Sequence, residues 1–181
     1  PNTRICVTNT PLCPIAACLL CNLAQLQPHQ SVLDPYAGSG TILLAAALLE
    51  PTTRTVGIDI AFRNGLIDRN DILQDFDVRN LTRPDALLYG DCNNVTLLAQ
   101  TNPPFDCILS DPPYGLREST ITRRPMDDLL DMIRRSSDDN NDDNDSSPLL
   151  KHGGRLVVFV PQHHNQSLTD ILPTNIQMQE A

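Results

Sequence analysis

The chain has 181 residues, 40% of them hydrophobic, which is enough for one domain with a sizeable core, and no apolar run approaches bilayer-spanning length. Its formal charge is −9, or −4 when five aspartates of one polar tract (Asp138, Asp139, Asp142, Asp143 and Asp145) are set aside. Either value excludes tight unaided binding to a phosphate backbone, so a nucleic-acid substrate would be gripped mainly by something else.

The chain opens on Pro1 rather than Met, as expected of a fragment or processed product, and no charged-then-apolar leader precedes the first motif. Residues 1–30 form a lead-in: a short strand over Arg4-Ile5-Cys6-Val7, then a helix from Pro14 to Gln27, begun by one proline and stopped before Pro28. Cys13, Cys18 and Cys21 have the spacing of a plant-type iron–sulfur site. They lie, however, in an apolar helical segment with no glycine to bend round a cluster, so they read as small buried hydrophobes, with no metal. Reduced thiols fit a cytoplasmic protein.

Residues 31–161 read as the core. Ser31-Val32-Leu33 is a strand running into Asp34-Pro35-Tyr36-Ala37-Gly38-Ser39-Gly40-Thr41, and the Ala- and Leu-rich stretch Ile42 to Glu50 is a buried helix ended by Pro51. Thr55 to Asp59 is the second strand, so strand, glycine turn, helix and strand make a parallel βαβ unit. A second helix is expected over Phe62 to Phe76, a third strand over Ala86 to Asp91, a short helix over Asn93 to Gln100, and a fourth strand over Phe105 to Leu109. Pro125 to Arg135 is a helix with Met126, Leu129, Leu130 and Ile133 on one side and a solvated face of Asp127, Asp128 and Asp131 on the other. Residues 136–147, made only of Ser, Asp and Asn, are expected to be a disordered insertion. Leu149 to Gly154 then ends a helix on glycines, Arg155 to Val160 is the fifth strand, and 162–181 is a shortened tail.

Four strand ends carry chemistry. Gly38 and Gly40 let backbone approach a ligand, and the helix from Thr41 offers free N–H groups. Asp59 stands nineteen residues after Gly40, where an acid can take both hydroxyls of a ribose. Leu43 occupies the third position after Gly40, where a dinucleotide fingerprint has glycine, and the Gly-Lys-Ser/Thr of a phosphate loop is absent. S-adenosylmethionine fits better: Asp34 near its ammonium, the Gly38 to Gly40 turn along its amino-acid part, Asp59 on the ribose, Asp91 on the adenine amine. Ser110-Asp111-Pro112-Pro113-Tyr114 follows the fourth strand; it offers a carboxylate and carbonyl acceptors beside an aromatic face, the complement of a planar base with an exocyclic amine.

Taken together, Asp34-Pro-Tyr-Ala-Gly-Ser-Gly-Thr, Gly-Ile-Asp59-Ile, Gly-Asp91 and Asp111-Pro-Pro-Tyr-Gly-Leu-Arg-Glu118 resemble the catalytic domain of class I methyltransferases acting on exocyclic amines. The Asp-Pro-Pro-Tyr-Gly-x-Arg-Glu form most resembles the THUMP-linked tRNA guanosine-N2 methyltransferases of tRNA position ten. The resemblance implies a Rossmann-like, doubly wound, mostly parallel sheet without its last strands, and S-adenosyl-L-methionine as cofactor. It implies a cofactor set of Asp34, Tyr36, Ala37, Gly38 and Gly40 from the first turn and Asp59, Ile60, Asp91 and Cys92 from the next two strand ends. Asp111, Pro112 and Tyr114 would be catalytic. Pro113, Tyr114, Arg117 and Glu118 would meet the substrate, unless Arg117 and Glu118 pair with each other. It also implies a tRNA substrate, a THUMP domain that is absent here, and a small zinc-binding activator subunit as partner. A DNA or protein amine methyltransferase, or a cofactor-binding fragment without turnover, are the alternatives.

Overall fold

The computed structural model describes residues 4–8, 11–62, 66–113, 125–135 and 148–160. Among these residues five strands, β1 (Ser31–Asp34), β2 (Arg54–Asp59), β3 (Ala86–Tyr89), β4 (Phe105–Ser110) and β5 (Leu150–Val158), pair throughout in parallel in the order β3-β2-β1-β4-β5. Five helices flank them: α1 (Pro14–Leu23), α2 (Thr41–Leu49), α3 (Arg69–Asp77), α4 (Val95–Ala99) and α5 (Pro125–Arg135). This is the doubly wound architecture expected from the sequence.

Strand alternation sorts the core into two layers. Val32, Cys107 and Leu109 face α1 and α2, packing with Ala17, Leu20, Ile42 and Ala46, while Leu43, Ile72 and Phe76 extend that layer towards α3. Leu33, Val56, Ile58 and Ile108 face the other way, onto Leu97 and Leu98 of α4 and Leu129 and Met132 of α5. Helix α2 is apolar almost all round because it lies between the sheet and its helical neighbours; Ile42 to Ala47 are all buried. Gly57 makes that approach possible, since a Cβ there would sit 2.8 Å from both Ala37 Cβ and Leu43 Cδ1.

Several elements differ from expectation. Residues 4–7 form no strand but a bend bonded to Asp75. Helix α1 stops at Leu23, because Gln25 takes a left-handed conformation at φ 49. The helix expected over Phe62 to Phe76 is instead a single 3-10 turn, Ile60–Phe62, and then α3. Asp68 starts that helix anew by accepting the amide of Asn70 at 2.8 Å. The Leu149 to Gly154 stretch does not end a helix: β5 already begins at Leu150 opposite Phe105, and Arg155 is opposite Cys107. A step of two positions along β4 is thus matched by a step of five along β5, and Gly153 at φ 76 lies inside the resulting bulge. Of the three cysteines expected to be buried, Cys21 is buried, Cys18 is half-buried and Cys13 is exposed at the start of α1; Cys6, Cys92 and Cys107 are buried as well.

Candidate active site

The sheet order reverses between β1 and β4: β1 leads into α2 on one face, while α5, the next helix of the described residues after β4, packs on the other. At such a switch point the connections part and leave a crevice beyond the carboxyl ends of the strands. Asp34 ends β1, Asp59 ends β2, and Asp111 follows β4. Counting by twos from Val32, Gly57 and Leu109 puts all three acids on the α1–α2 side of the sheet.

Their charges interact. Asp34 is only 1% exposed. Burial holds its carboxyl well above the ordinary carboxylate range; the Tyr36 amide, donating to Oδ1 at 3.1 Å, pulls the other way, and the nearby Asp59 and Asp111 push it further up. Among the described residues no arginine or lysine forms an ion pair with Asp34. Here is a buried acid whose charge lacks a counterion within that part of the chain.

The turn after β1 is built on the next strand. Ala37 donates its amide to the Ile58 carbonyl at 2.9 Å and accepts from the Gly40 amide at 2.7 Å, while Gly38 donates to Asp59 Oδ2 at 2.7 Å. The other Asp59 oxygen accepts the Ala61 amide at 2.7 Å. With two backbone bonds made, the carboxylate keeps lone pairs for a ligand. Both glycines have positive φ, 51° at Gly38 and 72° at Gly40, but for different reasons. A Cβ at Gly38 would meet nothing closer than the Tyr36 carbonyl at 4.0 Å, so that position opens towards the crevice. A Cβ at Gly40 would lie 2.8 Å from Ile72 Cγ2, so Gly40 is also required by the packing of the turn against α3.

On the opposite side of the sheet, Tyr36 packs against the core cluster that holds the buried Cys92. Burial pushes the Tyr36 phenol far up, helped by Cys92, Asp128 and Asp91. Burial likewise pushes the Cys92 thiol up to about 11 against the lowering influence of Tyr36, so this cysteine stays a neutral thiol at physiological pH. Asp91 lies exposed at the rim and takes the Asn93 amide at 2.8 Å. Ile60, the first residue of the 3-10 turn after β2, is an apolar side chain 66% exposed beside Asp59.

Beyond β4, Asp111 is half-buried, Pro112 buried and Pro113 exposed. Tyr114, Arg117 and Glu118 lie outside the described residues, as does the 136–147 tract. Sequence reasoning passed over three features. Asp128 belongs not to a solvated face: it is half-buried and acts electrostatically on Tyr36 and Cys92, although Asp127 beside it is exposed. The Ser110 hydroxyl, wholly buried before Asp111, has no hydrogen-bond partner, and neither has the buried Asn93 Oδ1. The third is Asp75, an acid at 0% exposure on the buried face of α3 with Ile72 and Phe76. An acid at a core position of an amphipathic helix is a readable sign of a buried partner, here Arg4.

Residues 1–90 match the family profile described as "RMKL-like, methyltransferase domain". The tRNA (guanine(6)-N2)-methyltransferase of Thermus thermophilus is 36% identical over 108 residues, covering 59% of this chain and 30% of that protein. The tRNA (guanine(10)-N(2))-methyltransferase of Xenopus laevis is 26% identical over 192 residues, covering 92% of this chain and 40% of that protein. The crystal structure of TrmN from Thermus thermophilus superposes with a TM-score of 0.59 at 28% identity, over 83% of this chain and 39% of that one. The chain thus spans well under half the length of these relatives. In sequence and in fold alike, the chain is similar to the methyltransferase domains of tRNA guanine-N2 methyltransferases.

Proposed function

We propose that residues 31–161 form the catalytic core of an S-adenosyl-L-methionine-dependent N-methyltransferase that modifies N2 of guanosine in tRNA, at position ten. The observation that carries this reading is the meeting of Asp34, Asp59 and Asp111 at one end of the sheet, on one side of it.

The residues present fit the cofactor. The uncompensated carboxylate of Asp34 suits an ammonium, and the open Cα of Gly38 lets an amino-acid moiety lie against the turn. Asp59 has acceptor capacity left for ribose hydroxyls, Ile60 offers an apolar surface to an adenine, and Asp91 accepts at the rim. When bound, this cofactor supplies an electrophilic methyl carbon on a sulfonium.

The chain's own part is orientation. The guanine N2 lone pair is delocalised into the ring, so the amine is a poor nucleophile. Asp111 and the Pro112 carbonyl accept its two hydrogens and favour the pyramidal nitrogen, aiming its lone pair into the crevice. Tyr114 stacks on a base drawn out of its helix. Arg117 and Glu118 meet the base edge.

Both curated relatives described above are named for N2 of guanine, at tRNA positions six and ten, so the amine is the shared feature. A net charge of −9 leaves tRNA presentation to other parts, for which the resemblance suggests a THUMP domain and a small zinc-binding activator subunit. Among the described residues no helix is long and apolar enough to cross a membrane.

Incubation with radiolabelled S-adenosylmethionine and separate tRNA, DNA and protein pools tests the reading. Label should enter tRNA as N2-methylguanosine. Label in DNA or protein instead would assign the amine to another polymer, and no binding of the cofactor would leave a fragment without turnover.

A further inference from the structure

Arg4 lies thirty and more residues before the glycine turn, in a segment with no regular structure, yet its guanidinium reaches that turn. Its Nη2 donates to the Ser39 carbonyl, its Nη1 donates to Thr41 Oγ1 at 3.1 Å, and its Nε donates to Asp75 Oδ2 at 2.8 Å. One planar group therefore bridges the turn after β1 to α3. Ser39 and Thr41 are both buried and their hydroxyls stand 3.1 Å apart, so the back of the turn is closed to water.

Asp75 holds the arginine in that pose. The carboxylate is wholly buried and takes four donors: Arg4 Nε, the amides of Ile5 and Cys6 at 3.0 Å each, and Arg79 Nη1 at 2.8 Å. Burial would raise its carboxyl, but the Ile5, Arg4 and Cys6 hydrogen bonds outweigh that and hold it below the usual range. The acid remains ionised, and the segment from Arg4 to Cys6 is fixed to α3.

We propose that Arg4 is a positioning residue for the cofactor turn: held by Asp75, it sets the backbone at Ser39 and Thr41, so that Gly38 keeps its open face towards the ligand. The inference rests on reading that turn as the cofactor site. Arginine is required because the three acceptors diverge, and a fork of fixed N–H groups meets them where the single ammonium of lysine cannot. Arg4 touches no reacting atom and acts only through the turn.

The test uses the full chain with two variants. Arg4→Lys keeps the charge beside Asp75 but removes the fork; Thr41→Val removes one acceptor and leaves the Asp75 cluster whole. Amide exchange at Gly38 and Gly40 is followed with α3 as internal reference, and S-adenosylhomocysteine affinity is measured by calorimetry. Loss of charge-assisted bonds of this kind should speed exchange in the turn and weaken binding by about tenfold each. Exchange in α3 and kcat at saturating cofactor should stay near wild type, a split that a merely structural role would not give. Wild-type exchange at Gly38 and Gly40 in folded Arg4→Lys, or in Thr41→Val should the first variant fail to fold, overturns the proposal. If the wild-type chain binds no S-adenosylhomocysteine, the cofactor reading fails by itself, while the exchange comparison still decides the role of Arg4.

Discussion

Gly38 donates its amide to Asp59 Oδ2 at 2.7 Å, and through this bond the turn after β1 hangs from the tip of β2. The carboxylate that would hold a ribose is thus also the carboxylate that shapes the loop beside it. Asp59→Asn puts an NH2 group against one of the two backbone amides at Gly38 and Ala61. Since hydrogen bonds to a charged acceptor contribute about 1.5–3 kcal/mol, cofactor affinity should fall by roughly 10- to 100-fold and the thermal midpoint by several degrees. Calorimetric titration with S-adenosylhomocysteine and a thermal melt on the same preparation measure the two effects.

The two glycines of the turn should fail in different ways. At Gly40 alanine meets Ile72 Cγ2 at 2.8 Å as well as a φ of 72°, so Gly40→Ala should lose about 2 kcal/mol or more of folding stability. At Gly38 the added methyl has room within the protein but occupies the ligand side. Gly38→Ala should lose only about 1 kcal/mol of stability for its φ of 51°, yet bind cofactor much more weakly. Paired urea melts and titrations separate these outcomes; equal cofactor loss from both at equal stability would contradict the assignment.

Asp34 and Asp75 are both buried acids with opposite linkage. The carboxyl of Asp34 is raised on folding, so its contribution is fully present below the unfolded value of 3.8 and is lost as pH rises through the folded value. Asp34→Asn, which keeps an oxygen for the Tyr36 amide, should therefore raise the cofactor-free melting temperature at pH 7, with a gain that shrinks towards pH 4. The same variant removes the partner proposed for the ammonium, and affinity should drop by about 30-fold or more. Asp75 is lowered on folding; its contribution is present above 3.8 and disappears as pH falls through its folded value. Acid unfolding below about pH 4 should accordingly be blunted in Asp75→Asn, which starts from a lower stability at pH 7. Melting curves across pH 3 to 8, run without ligand, check both signs.

Asp111→Ala should leave S-adenosylhomocysteine affinity within about threefold of wild type while methyl transfer falls by about 100-fold or more, because misplacing the amine forfeits orientation rather than cofactor binding. Single-turnover transfer at saturating cofactor is the measurement. Parallel loss of binding and transfer would make Asp111 a structural residue.

What could be read from the sequence, and what could not, follows the range of the forces involved. β1, β2, β4 and α5 were legible because each is a local pattern: a short apolar run ended by an acid, or apolar residues at helical spacing after Pro125. The start of β5 was not, since Leu149-Leu150 before Gly153-Gly154 looks like a helix end, and only pairing with Phe105 across the sheet decides otherwise. The break between Phe62 and α3 was visible in principle, in Asp68 ahead of Arg69 and Asn70, but the apolar periodicity masked it. The acids at the strand tips could be named without coordinates; Asp75 at a core position of α3 signals that a partner exists, but nothing local says that it is Arg4, seventy-one positions away. Ser110 reads as the first residue beyond the fourth strand, whereas β4 includes it and buries its hydroxyl without a partner.

The side of the sheet on which Asp34, Asp59 and Asp111 meet is fixed by an even count along each strand. Exchanges among valine, isoleucine and leucine inside β1, β2 or β4 leave that count untouched. A single-residue insertion or deletion between the anchored interior and the tip reverses the parity and carries the carboxylate through to the α5 side. Drift in composition is therefore tolerable along these strands in a way that drift in length is not, and indels compatible with this crevice should fall in the connections alone.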